Sequence, residues 1–217
     1  MEDSHRRIAQ IALAAAGHYS LALAGGYAVQ AHGIGQRPSG DVDLFLAWDR
    51  HGEFDHALDA VTDALARENF SVKLLMRGAT FARLQVAAED GQSPPEKLEI
   101  SADWRAHEPV TMDIGPVLHR DDAVANKMAA LYGRALPRDF LDIDAAITSG
   151  IYSHDQLLTL AEEADAGFDR ALFADAVGAL RQITDMAFGE YGVGPEEVFA
   201  MRQRFTSWRA ELIAGGE

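Results

Sequence analysis

Apolar residues recur at helical spacing near the start of the chain. Ile8, Ile11, Ala12 and Ala15 predict a helix over residues 4–17, with Ser4 as its candidate cap. The short apolar run Leu21-Ala22-Leu23-Ala24 stops at Gly25-Gly26, as a buried strand does on entering a tight turn, and residues 27–32 read as the start of a helix behind it. Arg37-Pro38-Ser39-Gly40 is a turn. It feeds Asp41-Val42-Asp43-Leu44-Phe45-Leu46, which alternates and then becomes apolar, the pattern of a strand. Helical spacing returns over residues 53–69 through Phe54, Leu58, Val61 and Leu65. Residues 72–75 and 80–87 read as strands, residues 89–96 as a polar loop with Gly and Pro, and residues 97–102 as a further strand.

From Asp121 onward the pattern is helical almost throughout. Helices are predicted over residues 123–132, 138–148, 153–165, 170–183 and 195–212; the last opens with Pro195 followed by Glu196 and Glu197, a strong start signal. The composition shift near Asp121 divides the chain into residues 1–120, with mixed strands and helices, and an all-helical part, residues 121–217. With 217 residues, 48% of them hydrophobic, the chain can build a substantial core of α+β class. No apolar run approaches the roughly 20 residues of a membrane span, and the N-terminus lacks the order of a secretory signal. A cytoplasmic monomer without membrane contact is the expectation. The chain has no cysteine, which excludes disulfides, thiolate metal sites and cysteine nucleophiles. A net charge of −15 argues against a general nucleic-acid coat protein, because phosphate binding is driven by Lys and Arg.

The candidate chemistry lies in three features in fixed order: a strand ending at Gly25-Gly26, Asp41-Val42-Asp43 opening the next strand, and a later strand carrying Glu99. Alternation puts Asp41 and Asp43 on one face. Two adjacent carboxylates repel unless a cation sits between them, and hard divalent ions such as magnesium take oxygen ligands shared with substrate phosphates. A third acid completes a two-metal arrangement suited to in-line displacement at phosphorus. Gly25 and Gly26 let backbone N–H groups approach a triphosphate. Each feature alone has a plainer reading: an Asp-X-Asp pair is usually a solvated strand end, a Gly-Gly pair usually a turn, a lone Glu usually a surface residue. Asp103, of the same strand parity, is the alternative third acid. Lys127 and Arg134 are seven residues apart and share a helix face that suits phosphate, although either could simply balance nearby acids. Asp139 either stabilises the start of its helix or orients Lys127. Arg37 reaches a phosphate from its turn or is solvated.

These blocks resemble a known family. Leu23-Ala24-Gly25-Gly26 with Arg37-Pro38-Ser39-Gly40-Asp41-Val42-Asp43-Leu44 is similar to the first motif of the AbiEii/AbiGii-type nucleotidyltransferases of the polymerase-beta superfamily. Leu98-Glu99-Ile100 resembles their second motif. Asn126-Lys127-Met128-Ala129-Ala130-Leu131, Gly133-Arg134 and Pro137-Arg138-Asp139-Phe140-Leu141-Asp142 resemble their third. Many superfamily members carry Gly-Ser where this chain has Gly25-Gly26, and Asp is commoner than Glu as the third acid. The resemblance implies a small mixed sheet flanked by helices, with residues 121–217 completing the nucleotide site. It implies Asp41, Asp43 and Glu99 as ligands of Mg2+ or Mn2+, with Lys127 joining them in catalysis. Gly25, Gly26, Arg37, Ser39, Lys127, Arg134 and Asp139 would surround the nucleotide.

The expected activity is transfer of a nucleoside monophosphate from a nucleoside triphosphate to an acceptor hydroxyl, releasing pyrophosphate. The resemblance suggests tRNA or another RNA as acceptor, a toxin role in a toxin–antitoxin or phage-defence system, and a cognate antitoxin as partner. The alternatives are a small-molecule nucleotidyltransferase, for which an acidic cleft suits cationic acceptors, and a non-catalytic nucleotide-binding module on the same fold.

Overall fold

The computed structural model describes residues 1–89 and 93–215. The middle of the polar loop expected at residues 89–96 therefore lies outside the described residues. In chain order the first part runs α1 (Asp3–Ala16), β1 (Ala22–Leu23), α2 (Gly25–Ala31), β2 (Val42–Ala47), α3 (Phe54–Arg67), β3 (Phe70–Arg77), β4 (Phe81–Ala88), β5 (Glu96–Asp103), β6 (Val110–Met112) and β7 (Gly115–Val117). All seven strands join one mixed sheet of order β3-β4-β5-β2-β1-β7-β6. β3, β4 and β5 form an antiparallel meander, whereas β2 and β5 are parallel. A parallel pair needs a long crossover, and α3 with the β3–β4 hairpin supplies it.

Alternation explains the sheet's buried face. Val42, Leu44 and Leu46 on β2, Ala82, Leu84 and Val86 on β4, and Leu98 and Ile100 on β5 are all buried. α1 and α3 pack side by side and bury Ile8, Ala12, Leu13, Leu58, Val61 and Leu65. α1 reaches β2 and β7, and α3 reaches β3. The intervening positions of β2 and β5, Asp43 and Phe45, Lys97 and Glu99, are only half-buried and belong to the opposite face.

The structure departs from the sequence pattern in several places. α1 begins at Asp3 with Glu2 at its cap position, and the Ser4 hydroxyl donates instead to Glu96 Oε1 at 2.7 Å. α2 begins at Gly25 itself, so the glycine pair opens a helix rather than closing a turn before Tyr27. The β6–β7 hairpin has strands of three residues each, too short to show alternation, yet β7 extends the sheet through its parallel pairing of Val117 with Leu23.

A second unit consists of Gly33–Arg37 together with the chain from Asp121 onward. Its helices are α4 (Arg120–Arg134), α5 (Pro137–Thr148), α6 (His154–Ala164), α7 (Arg170–Gly178), α8 (Asp185–Gly189) and α9 (Pro195–Ala214). The helix expected over residues 170–183 is shorter, ending in a 3-10 turn at Ala179–Gln182, and the five-residue α8 is too brief for periodicity to reveal. Pro195 opens α9 as expected. No helix among the described residues is long and apolar enough to cross a membrane.

Aromatic side chains fill this unit's core. Phe140 meets Phe205 edge-on at 5.3 Å, Phe173 meets Trp208 at 5.2 Å, and His154 stacks on Trp208 at 4.5 Å. Trp208 is 1% exposed, and among the described residues its indole N–H has no acceptor. Trp208→Ala is therefore expected to cost about 3–5 kcal/mol in chemical denaturation. Trp208→Phe should cost clearly less, because it removes an unsatisfied donor along with some of the volume. Equal losses for the two variants would show that the indole N–H is no liability.

Candidate active site

The acid residues are brought together by strand register. On the parallel β2–β5 pair Asp43 lies directly opposite Glu99. Asp41, two residues before Asp43, belongs to the same face. Lys97, two residues before Glu99, reaches across with its ammonium 2.6 Å from Asp41 Oδ2 and 3.5 Å from Glu99 Oε1. Arg83 on β4 lies opposite Glu99 from the other side, and its Nε donates to Glu99 Oε1 at 2.8 Å. Burial alone would lower the Lys97 pKa, but the contact with Asp41 and the charges of Asp41 and Glu99 outweigh it and hold the ammonium above its ordinary range. Asp103 pairs with Ala47, four residues beyond Glu99 along β5, so register places Glu99 and not Asp103 beside Asp43. Asp103 accepts the Trp104 N–H, and burial pushes its carboxyl up.

Gly25 is fixed by what it touches. Its φ is +61°, and a Cβ there would fall on the Asp43 carboxylate. The strand–helix turn thus needs glycine for its left-handed backbone and for the space that Asp43 fills. The Ala24 N–H binds the Asp43 carbonyl at 2.8 Å and ties the turn to β2. Gly26 is buried in the first turn of α2. Ser39 is buried, with its hydroxyl 3.4 Å from Asp41 Oδ1. Its carbonyl accepts from the Tyr27 hydroxyl at 3.1 Å. Behind Tyr27 stands buried His5, with Nδ1 2.6 Å from the Tyr27 hydroxyl and Nε2 2.8 Å from Glu96 Oε2. Burial, followed by the nearby Glu2, Glu96 and Asp41 carboxylates, raises the Tyr27 pKa and keeps the phenol a donor. A buried polar chain therefore runs from Glu96 to the turn that presents Asp41.

The helical unit carries a second set of charges. Lys127 on α4 is buried, with its ammonium 3.0 Å from Asp142 Oδ2. Arg37 grips the same carboxylate as a fork, Nε to Oδ1 at 2.6 Å and Nη2 to Oδ2 at 2.8 Å. Burial would raise the Asp142 pKa, but Lys127 and Arg37 hold it below the ordinary carboxylate range. Gly33-Ile34-Gly35 leads into Arg37. Ile34 is buried, and at Gly35, with φ +68°, a Cβ would come within 3.0 Å of the Ala145 Cβ on α5. The reading of Arg37 as a solvated turn residue is thereby corrected. So is the pairing of Asp139 with Lys127: Asp139 is wholly buried and binds Arg134 at 2.9 and 2.8 Å and the Leu136 N–H at 3.0 Å. Asp142 orients Lys127, and Lys127 and Arg134, although on one helix, serve different acids.

Sequence reading did not single out Lys97, Arg83, Tyr27 or His5. The parity of Lys97 with Glu99 was visible, but its contact with Asp41 depends on which strand neighbours which.

A strand–helix turn whose glycine admits an aspartate, with an acid opposite it on a parallel neighbouring strand, belongs to a mixed α+β sheet of the polymerase-beta type of fold. The comparisons agree. The family described as "Nucleotidyl transferase AbiEii toxin, Type IV TA system" matches residues 8–207. The chain belongs to this AbiEii nucleotidyltransferase toxin family, and it is a nucleotidyltransferase. Among solved structures it is similar to a candidate nucleotidyltransferase from Helicobacter pylori, at 13% identity and TM-score 0.61, covering 99% of this chain and 98% of that one. It is also similar to JHP933 from Helicobacter pylori (17% identity, TM-score 0.54, 99% and 93% covered). The nucleotidyltransferase toxin MenT4 from Mycobacterium tuberculosis H37Rv matches with 15% identity, TM-score 0.56, and 95% and 83% covered. At these identities the likeness shows the fold. No curated protein sequence matches.

Gly25→Ala is expected to destabilise the protein by at least about 1 kcal/mol through its left-handed backbone alone. By displacing Asp43 it should also lower nucleotidyl transfer by about a hundredfold or more, read by steady-state assay beside a melting curve. An active, stable Gly25→Ala protein would refute the close approach of Asp43 to the turn.

Asp142 has a depressed folded pKa, so its stabilising contribution is present above the unfolded value of about 4 and is lost as pH falls through the folded value. Asp142→Asn should cost about 3–5 kcal/mol near neutrality, because two buried cations lose their partner. The stability gap between wild type and variant, followed by denaturation across pH, should be flat above about pH 5 and shrink below about pH 4. A gap that grows on acidification would refute the pairing.

Proposed function

We propose that the chain is a metal-dependent enzyme that transfers a nucleoside monophosphate from a nucleoside triphosphate to a hydroxyl on RNA, tRNA in the first instance. We further propose that it acts as the toxin of a pair neutralised by a separate antitoxin. The family supports the toxin role, and MenT4, itself a nucleotidyltransferase toxin, agrees with it. The observation that carries the catalytic reading is the register of Asp43 against Glu99, with Asp41 on the same face.

The donor set fits a divalent ion. It is three carboxylates and no sulfur, and a cationic group, the Lys97 ammonium, already lies 2.6 Å from one of them and 3.5 Å from another. Asp41, Asp43 and Glu99 would hold Mg2+ or Mn2+, and such ions supply charge neutralisation at the transferring phosphate and activation of the attacking hydroxyl. The residues of the chain do the rest. Gly25 leaves room for Asp43 and, with Gly26, keeps the backbone of the turn close to the phosphates. Ser39 and Tyr27 hold the turn that presents Asp41. Lys127 neutralises phosphate charge, steadied by Asp142. Arg37 acts as the clamp on Asp142, and Asp139 fixes the Arg134 guanidinium on α4.

Purified protein incubated with each labelled nucleoside triphosphate, Mg2+ and total bacterial RNA, and read on a denaturing gel, tests this. A labelled RNA band is expected, and Asp43→Asn should abolish it with the melting temperature kept within a few degrees of wild type. Full transfer by Asp43→Asn would sink the catalytic assignment. Pyrophosphate release with a small amine or alcohol, and no label on RNA, would move the acceptor to the small-molecule class.

A further inference from the structure

We propose that Lys97 is a resident counter-cation of the acid row: it holds Asp41 and Glu99 together in the metal-free protein and competes with the divalent ion for them, so that it sets the metal affinity of the site. The inference rests on the reading of Asp41, Asp43 and Glu99 as metal ligands.

Position is the first argument. The β2–β5 register puts Lys97 two residues before Glu99 on the acid-bearing face, and its ammonium meets both carboxylates, at 2.6 Å and 3.5 Å. Those are the oxygens that a divalent ion would take, and two cations cannot share them without repulsion.

Residue type is the second argument. The chain has sixteen arginines and only three lysines. Four acids are gripped by an arginine fork, Arg37 on Asp142, Arg134 on Asp139, Arg204 on Asp144 and Arg50 on Glu53, each through two nitrogens, and the buried lysine pair, Lys127 on Asp142, shares its acid with such a fork. Asp41 is met instead by a lysine, a point charge on a flexible stem with no fixed geometry to break. The Lys97 side chain is 38% exposed, so its ammonium can swing into water without being stranded in the core. Arg83 stays on Glu99 and keeps that acid partly neutralised through the exchange.

Mn2+ alone, without nucleotide and at one pH, is the probe. Its binding is measured by calorimetry or by electron paramagnetic resonance on wild type, Lys97→Met and Lys97→Arg, with the metal-free melting temperature beside it. Lys97→Met should bind Mn2+ about tenfold more tightly, as expected for removing one positive charge from a half-exposed carboxylate pair. Its metal-free melting temperature should fall, and saturating Mn2+ should restore it. Lys97→Arg keeps the charge and should bind no more tightly than wild type. Unchanged or weaker Mn2+ binding by Lys97→Met overturns the competition while leaving the acids as metal ligands. Absence of Mn2+ uptake by all three proteins overturns the ligand assignment and this inference with it.

Discussion

Asp43 and Glu99 lie in register on adjacent parallel strands, about 5 Å apart at the backbone, so like charges share one face of the sheet and oppose each other. Asp41 adds a third charge on the same face. The sheet must hold these acids together against their own repulsion, and the surrounding residues follow from that demand. Apolar alternation on β2, β4 and β5 buries the opposite face and fixes the register. Arg83 and Lys97 supply charge from the two strands that can reach. Gly25 takes a left-handed backbone so that the Asp43 carboxylate has somewhere to lie. The His5–Tyr27–Ser39 chain braces the turn before Asp41.

The helical unit solves the converse problem, a buried cation. Lys127 is almost fully buried on α4, and an ammonium left there without a counter-charge would carry a large desolvation cost. Asp142 prevents this, and Arg37 prevents Asp142 from turning away. The third partner explains why residues 33–37 belong with the helices although the sequence continues at once into the sheet: Ile34 is buried, and Gly35 lets the segment lie against Ala145 so that Arg37 arrives at the acid. A buried triad of this kind seldom adds much stability over apolar packing, so its value lies in the position it gives the lysine ammonium.

How much of this was legible in the sequence follows from the range of each signal. The long elements were legible because their apolar period is sustained: β2 from Val42, Leu44 and Leu46, α3 from Phe54, Leu58, Val61 and Leu65, α9 from Pro195 onward. The short elements were not, since three-residue β6 and β7 and five-residue α8 hold less than a repeat. The acids were legible as a pair plus a third by order and parity. Choosing Glu99 over Asp103 required the strand register, which no local pattern carries. Partnership was the least legible property. Asp139 and Asp142 both lie in the first turns of α5, and sequence spacing does not tell which of them meets Lys127 and which meets Arg134. Lys97 and Arg83 looked like ordinary strand cations until β4, β5 and β2 were seen side by side.

A net charge of −15 is poorly matched to an enzyme proposed to act on a polyanion and a triphosphate. The ion pairs resolve the conflict. Lys97 and Arg83 in the sheet unit, and Lys127, Arg37 and Arg134 in the helical unit, are each held in place by a carboxylate. An acidic exterior discourages non-specific binding of nucleic acid, and a divalent ion on the acids, as proposed, would add the positive charge that a triphosphate requires. On this account the acids and cations are two halves of one charge balance. In the metal-free protein the balance is closed internally, by lysine on aspartate. Under the proposed function, metal and nucleotide would close it by ion and phosphate instead, and a half-exposed lysine at the acid row would allow that change of partners without rebuilding the sheet.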